Sequence, residues 1–153
     1  MIVSERALKW AMRFYPPLLF QRIWTVKFDT GFTGVHVKIF KSVLNSNYNK
    51  TIFGGTIFSA ADPFFPILFH QALRRRGYHI TLWLKHSKID YLKPGRQSLY
   101  FSIRLDEADI ENAVQTLNTS GKFIKTFSVK ITNKDGEICA MVHNEVYIKK
   151  AAS

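Results

Sequence analysis

A chain of 153 residues with 46% hydrophobic content has the length of one domain and enough apolar side chains for a respectable core. Its 22 bases against 11 acids leave a net charge of +11, a field that attracts anions such as coenzyme A, nucleic acid or acidic lipid without choosing among them. The single cysteine, Cys139, excludes an internal disulfide framework, and no apolar run reaches about 18 residues, so no helical membrane span is expected and cytoplasm is the default compartment.

Residues 1–23 read as an N-terminal helical segment. Ser4 can cap a helix that carries Leu8 and Met12 on one side, Pro16-Pro17 ends it, and a second turn through Leu18–Ile23 follows. No continuous apolar core precedes Arg13, so the segment does not read as a secretory signal. Being basic and aromatic, it is able to make weak contact with a membrane surface, but packing across the domain's own sheet is the expected arrangement. Trp24–Asp29 and Phe32–Phe40 alternate as two strands joined at Asp29-Thr30-Gly31.

The stretch from Asn47 to Asp62 organises the rest. It passes from loop residues through Gly54-Gly55 into an apolar run, and from Thr56 to Phe69 the only carboxylate is Asp62. An ionised carboxylate among apolar residues needs a partner or a task. The first N–H groups of a helix that starts at the glycines lack intrahelical partners, so they can receive a carbonyl that gains negative charge. Asp62 lies seven residues past Gly55, about 10 Å further along such a helix, so one helix cannot bring both groups to one carbonyl. Two antiparallel copies can, which predicts a homodimer with shared sites, and pairing into a dimer of dimers stays open. The structural alternative is that Asp62-Pro63 is an N-cap followed by Pro at the first position of a new helix. Residues 54–76 are predicted as a central helix kinked at Pro63 and Pro66, which free the carbonyls of Ser59 and Asp62.

Leu73–Gly77 reads as a helix end, with arginines at the negative pole of the dipole. Ile80–Leu92 is a long strand running into the turn Lys93-Pro94-Gly95-Arg96, and Leu99–Leu105 is another. An additional surface helix is expected over 106–119, with Asp106 capping and Gly121 stopping it. Phe123–Ile131 and Ile138–Ile148 are strands joined through Asn133-Lys134-Asp135-Gly136, a hairpin signal. This order argues an α+β domain spanning 1–153, a long antiparallel sheet wrapped around a central helix.

Asn47, the Phe53-Gly54-Gly55 triplet and Asp62 resemble the signature of the hotdog-fold acyl-CoA thioesterases of the phenylacetate-pathway type, where an Asn precedes His-Gly-Gly and an acid lies two turns into the central helix. Phe53 departs from that pattern, and the chain looks closest to a little-characterised bacterial subgroup with Phe-Gly-Gly. The resemblance implies a hotdog fold and hydrolysis of an acyl-CoA thioester. The Gly55 N–H would polarise the carbonyl, Asp62 of the partner subunit would act as base or nucleophile, and Asn47 would position the water or carbonyl. Phe53, Gly54, Lys88, Lys93 and Arg96 would contact substrate, the three cations meeting coenzyme A phosphates, although solvated lysines near a turn give the same pattern. Coenzyme A enters as part of the substrate, and no separate cofactor is expected. A hotdog protein that binds acyl-CoA or lipid without hydrolysing it is the alternative, favoured by Phe53 and the prolines.

No His/Cys/Asp spacing suggests a metal, and there is no nucleophile elbow, P-loop or dinucleotide fingerprint. Nucleic-acid binding is disfavoured, since the chain shows no recognised motif for it. His36 is expected on a solvated or interface face, and His86 lies on the strand that borders the site in the relatives.

Overall fold

A computed structural model describes residues 3–151. Helix α1 (Glu5–Phe14) is capped as expected: the Ser4 side chain accepts from the Ala7 N–H at 3.2 Å, and Met12 faces the core. A short α2 (Pro16–Phe20) follows, and then β1 (Ile23–Phe28) pairs antiparallel with β2 (Gly34–Ile39) through a tight turn that places Gly31 at φ 70°. After the central helices come β3 (Ile80–Tyr91), β4 (Leu99–Arg104), α5 (Glu107–Ser120), β5 (Lys122–Asn133) and β6 (Ile138–Lys150).

The six strands form one antiparallel sheet in the order β1-β2-β4-β5-β6-β3. Strands β4 and β5 pair only at Leu99–Asn133 and Tyr100–Thr132. The sheet wraps the central helical segment, and phenylalanines join the two layers. Phe64 meets Phe101, Phe65 stacks on Phe127 with centroids 4.8 Å apart, and Phe69 meets Phe123. Each such ring, removed from water, stabilises the fold by about 1.5–3 kcal/mol, so this seam helps hold helix to sheet.

The central segment comes as two helices, α3 (Gly54–Ala61) and α4 (Phe64–Arg75), broken at Asp62-Pro63. Pro66 is accommodated in the first turn of α4, where a missing N–H leaves no gap. The expected freed carbonyl at Ser59 instead accepts from the Asp62 N–H, at 3.4 Å. The carbonyl that takes a side-chain donor at the break belongs to Ala61, which accepts from the Asn144 amide at 2.9 Å. Asn144 is fully buried on β6, and its oxygen accepts in turn from the Ser87 hydroxyl of β3. A polar residue under an apolar helix is thereby satisfied on both ends.

The helix over 107–120 ends as expected at a left-handed Gly121, φ 73°. Asp106 stands at its N-cap position, yet its side chain makes no cap bond there, so its contribution is that of a negative charge near the N-terminus. Strand β3 is an edge strand of twelve residues with no fully buried side chain. Leu82, Leu84 and Ile89 are only half-covered although they pack against the core.

Candidate active site

The loop that leads into α3 is shaped by its own polar groups. Ser46 and Ile52 form an isolated antiparallel bridge, and the Asn47 side-chain oxygen accepts from the N–H and hydroxyl of Thr51, at 3.0 and 3.1 Å. Asn47 is thus a turn residue: its oxygen is engaged within the loop, while its amide N–H groups have no bonding partner among the described residues. The Phe53 N–H donates to the Asn45 carbonyl, and α3 begins at the next residue.

The N–H groups of Gly54 and Gly55 therefore stand at the open tip of α3, where no side chain among the described residues accepts from them. Close approach, not unusual dihedrals, explains the glycines. A Cβ on Gly54 would come within 2.9 Å of the Tyr91 hydroxyl, and one on Gly55 within 2.4 Å of the Phe53 ring. Tyr91 ends β3 and donates its hydroxyl to the Gly54 carbonyl at 2.8 Å, joining edge strand to helix tip. Burial raises the Tyr91 phenol above its ordinary pKa, so it remains a donor at neutral pH.

A cleft of about 320 Å³ opens here, lined by Asn47, Thr51, Gly54, Ile57, Tyr91 and Lys93 among others. Of the expected site residues, the fold brings Asn47, Gly54 and Lys93 to this cleft, with Gly55 and the exposed Phe53 beside it in the helix tip. Lys93 is held by Glu137 at 2.5 Å, which raises its pKa and lowers that of the carboxylate. Lys88 pairs with Asp90 at 3.1 Å, away from the cleft lining. Arg96 is exposed in an adjoining depression with Gln97 and Glu137 and has no carboxylate partner among the described residues.

Asp62 lies outside this cleft in its own chain, at the C-terminal end of α3. It does not cap α4: the N-cap position there is Pro63, with no side-chain cap bond. Its side chain is exposed to solvent in the single chain and has no hydrogen-bond or ion-pair partner among the described residues, and partial desolvation raises its pKa. His36, by contrast, is engaged with Asp29 and Ser102, and His86 is exposed on the edge strand. Among the described residues no group of His, Cys, Asp and Glu could hold a metal ion.

Tyr91 and Asn144 were not anticipated. For Asn144 a signal existed: it occupies an inward position of an alternating strand, between Val142 and Val146. Tyr91 carried none beyond its place at a strand end.

The family described as Domain of unknown function (DUF4442) matches residues 4–148. The chain belongs to the DUF4442 family. No curated protein matches this DUF4442 chain in sequence. Among solved structures, a Pseudomonas aeruginosa protein described as of unknown function and a probable thioesterase superposes with a TM-score of 0.88 at 14% identity, over 99% of both chains. A Haemophilus influenzae thioesterase gives 0.72 at 10% identity, covering 100% of this chain and 95% of the other. The PaaI protein from the phenylacetic acid degradation operon of E. coli gives 0.61 at 14%, over 98% of both. These likenesses establish the hotdog fold for this DUF4442 chain.

Proposed function

We propose that this DUF4442 protein is an acyl-CoA thioesterase whose site is shared between two subunits. The observation that carries the reading is the separation of two half-sites in one chain: an amide-rich helix tip opening on a cleft, and an unpartnered, pKa-raised carboxylate two turns away on the same helix. Hotdog neighbours named as thioesterases support the reaction class. The half-covered face of β3 supports a two-fold partner that brings the second half-site in.

In this mechanism the thioester carbonyl lies at the tip of α3 and accepts from the Gly55 N–H, with the Asn47 amide as a further donor. Asp62 of the second subunit takes a proton from water, and the hydroxide forms a bond to the carbonyl carbon. The oxyanion is held by the helix tip, the C–S bond breaks, and the proton on Asp62 passes to the leaving thiolate. Arg96, which has no carboxylate partner among the described residues, and Lys93, once freed from Glu137, would meet coenzyme A phosphates.

The test is release of free thiol from a panel of acyl-CoA substrates, read with a thiol-reactive dye. Asp62→Asn is expected to lower turnover by about 10²–10⁴-fold with the oligomer intact. Unchanged turnover removes Asp62 from the mechanism. The second reading, acyl-CoA binding without hydrolysis, is favoured by one feature: the Phe53 side chain leans over Gly55 at the position that holds histidine in the His-Gly-Gly signature the sequence resembles. Coenzyme A binding with no thiol release by the wild-type protein would select it.

A further inference from the structure

The far edge of the sheet from β3 carries a second surface with different chemistry. Arg13 lies over both Trp10 and Trp24, at 4.6 and 4.3 Å from the ring centroids. Phe14 stacks on Trp10, and Phe40 meets Trp24 edge-on beneath the Lys38 ammonium. Next to this ladder, Leu19, Arg22, Trp24 and Phe40 line a groove of about 390 Å³. The turn Val43–Asn45 is bolted to the same corner, because the buried Asn45 amide donates to the Gln21 and Phe40 carbonyls at 2.9 and 2.8 Å. Its neighbours are thereby held out in water: Val43 is 93% exposed and Leu44 71%, alongside Phe20 at 69%. Three large apolar side chains fixed in solvent at one corner need an explanation that a single exposed Leu does not.

The charge around them is one-sided. From residue 6 to residue 61 there are eight Lys and Arg and one acid, Asp29. Asp29 is already engaged by Lys27 and His36, and no carboxylate among the described residues pairs with Arg13, Arg22, Lys38 or Lys41. Nine of the eleven acids lie beyond residue 61.

We infer that this corner is a docking site for an anionic lipid bilayer: Phe20, Val43 and Leu44 enter the headgroup–acyl boundary, while Arg22, Lys38 and Lys41 meet lipid phosphates and Trp10 and Trp24 lie at interface depth. Apolar tips ringed by cations and tryptophans match the layered polarity of such a surface, and the one-sided charge selects its anionic form. Nucleic acid offers nothing to bury the aliphatic tips in. The surface is opposite the β3 edge in strand order, so docking and the dimer proposed above do not compete, and neither depends on the other. The loop that bears Val43 and Leu44 continues directly to Asn47, which lines the cleft, so docking would bring the cleft's loop to a bilayer where amphiphilic acyl thioesters partition.

The full chain is sedimented with vesicles of phosphatidylcholine alone and of equal parts phosphatidylcholine and phosphatidylglycerol, at low and rising salt. It should pellet with the anionic vesicles only and be released by salt. Val43→Ser with Leu44→Ser should weaken binding about ten-fold or more. Arg22→Glu and Lys41→Glu should each weaken it by about five-fold or more. Val43, Leu44 and Arg22 are exposed, so the thermal midpoints of their variants should not move. Wild-type protein that stays in the supernatant overturns the inference, as does a Val43/Leu44 variant that binds like the wild type. A variant that instead sediments as a smaller oligomer assigns the corner to a second copy of the chain and overturns it equally.

Discussion

Asp62 has opposite effects on stability and on the proposed chemistry. In the unfolded chain its carboxyl titrates in the ordinary carboxylate range, whereas in the folded chain desolvation raises it. The native state therefore holds that proton more tightly than the unfolded state. The group leaves stability undiminished below the ordinary carboxylate range and lowers it as pH rises through the raised value. Asp62→Asn should accordingly raise the thermal midpoint at neutral pH and give no gain in acid, read by scanning calorimetry at both. Catalysis by Asp62 needs the ionised form, so turnover should rise with pH through that raised value, and a profile flat across the acid range would exclude it as base. Tyr91 makes a second residue-level case. Tyr91→Phe removes the bond to the Gly54 carbonyl and should lower stability by about 0.5–1.5 kcal/mol in denaturant titration. If the bond aims the helix tip, turnover should also fall by more than substrate affinity does. Asn47 and the glycines were legible as a constellation in the sequence. That the Asn47 oxygen shapes its own loop, and that Gly54 answers to a tyrosine from β3, was not.

The break between α3 and α4 is where an element takes its shape from a neighbour. The sequence announces a disturbance through Pro63 and Pro66, since a proline removes a donor wherever it stands. Which carbonyl is left over, and who satisfies it, depends on β6 lying beneath the break with Asn144 in register with Ser87 of β3. Asn144→Ala should cost about 1–3 kcal/mol, because it strips a buried carbonyl of its donor and leaves the Ser87 hydroxyl without its acceptor, as equilibrium unfolding would show. Asn144→Asp loses the donor without loss of volume and should be no milder. The surface helix α5 behaves more simply. Its stripe of Ile110, Ala113 and Leu117 is buried as the spacing predicts, and Gly121 ends it.

For the whole molecule, the β3 edge and the opposite corner are the two surfaces left unfinished in a single chain. Edge strands are normally blunted; β3 carries Lys85, Lys88 and a bulge, yet it is twelve residues long and contains no proline. Between Leu84 and His86 its pairing with β6 skips Lys85. A proline there spares the internal ladder and interrupts the outer edge, so Lys85→Pro should shift sedimentation from dimer to monomer and remove turnover while far-ultraviolet dichroism stays unchanged. A wild-type protein that sediments as a monomer would leave Asp62 without a helix tip to meet.

The sequence by itself determined the order and kind of the elements, the apolar central helix with its lone acid, the turns and the one-sided charge, because periodicity, glycine, proline and charge act over a few residues. Tertiary structure decided what meets across long separations. Tyr91 reaches Gly54 over 37 residues and Asn144 reaches Ala61 over 83. It also decided which leucines stay half-covered and that Asp62 goes without a partner among the described residues. Those outcomes follow from strand register and from the curvature of the sheet around the helix. A one-residue slip would turn every such side chain to the other face, and no local pattern in the chain encodes which neighbour it finds there.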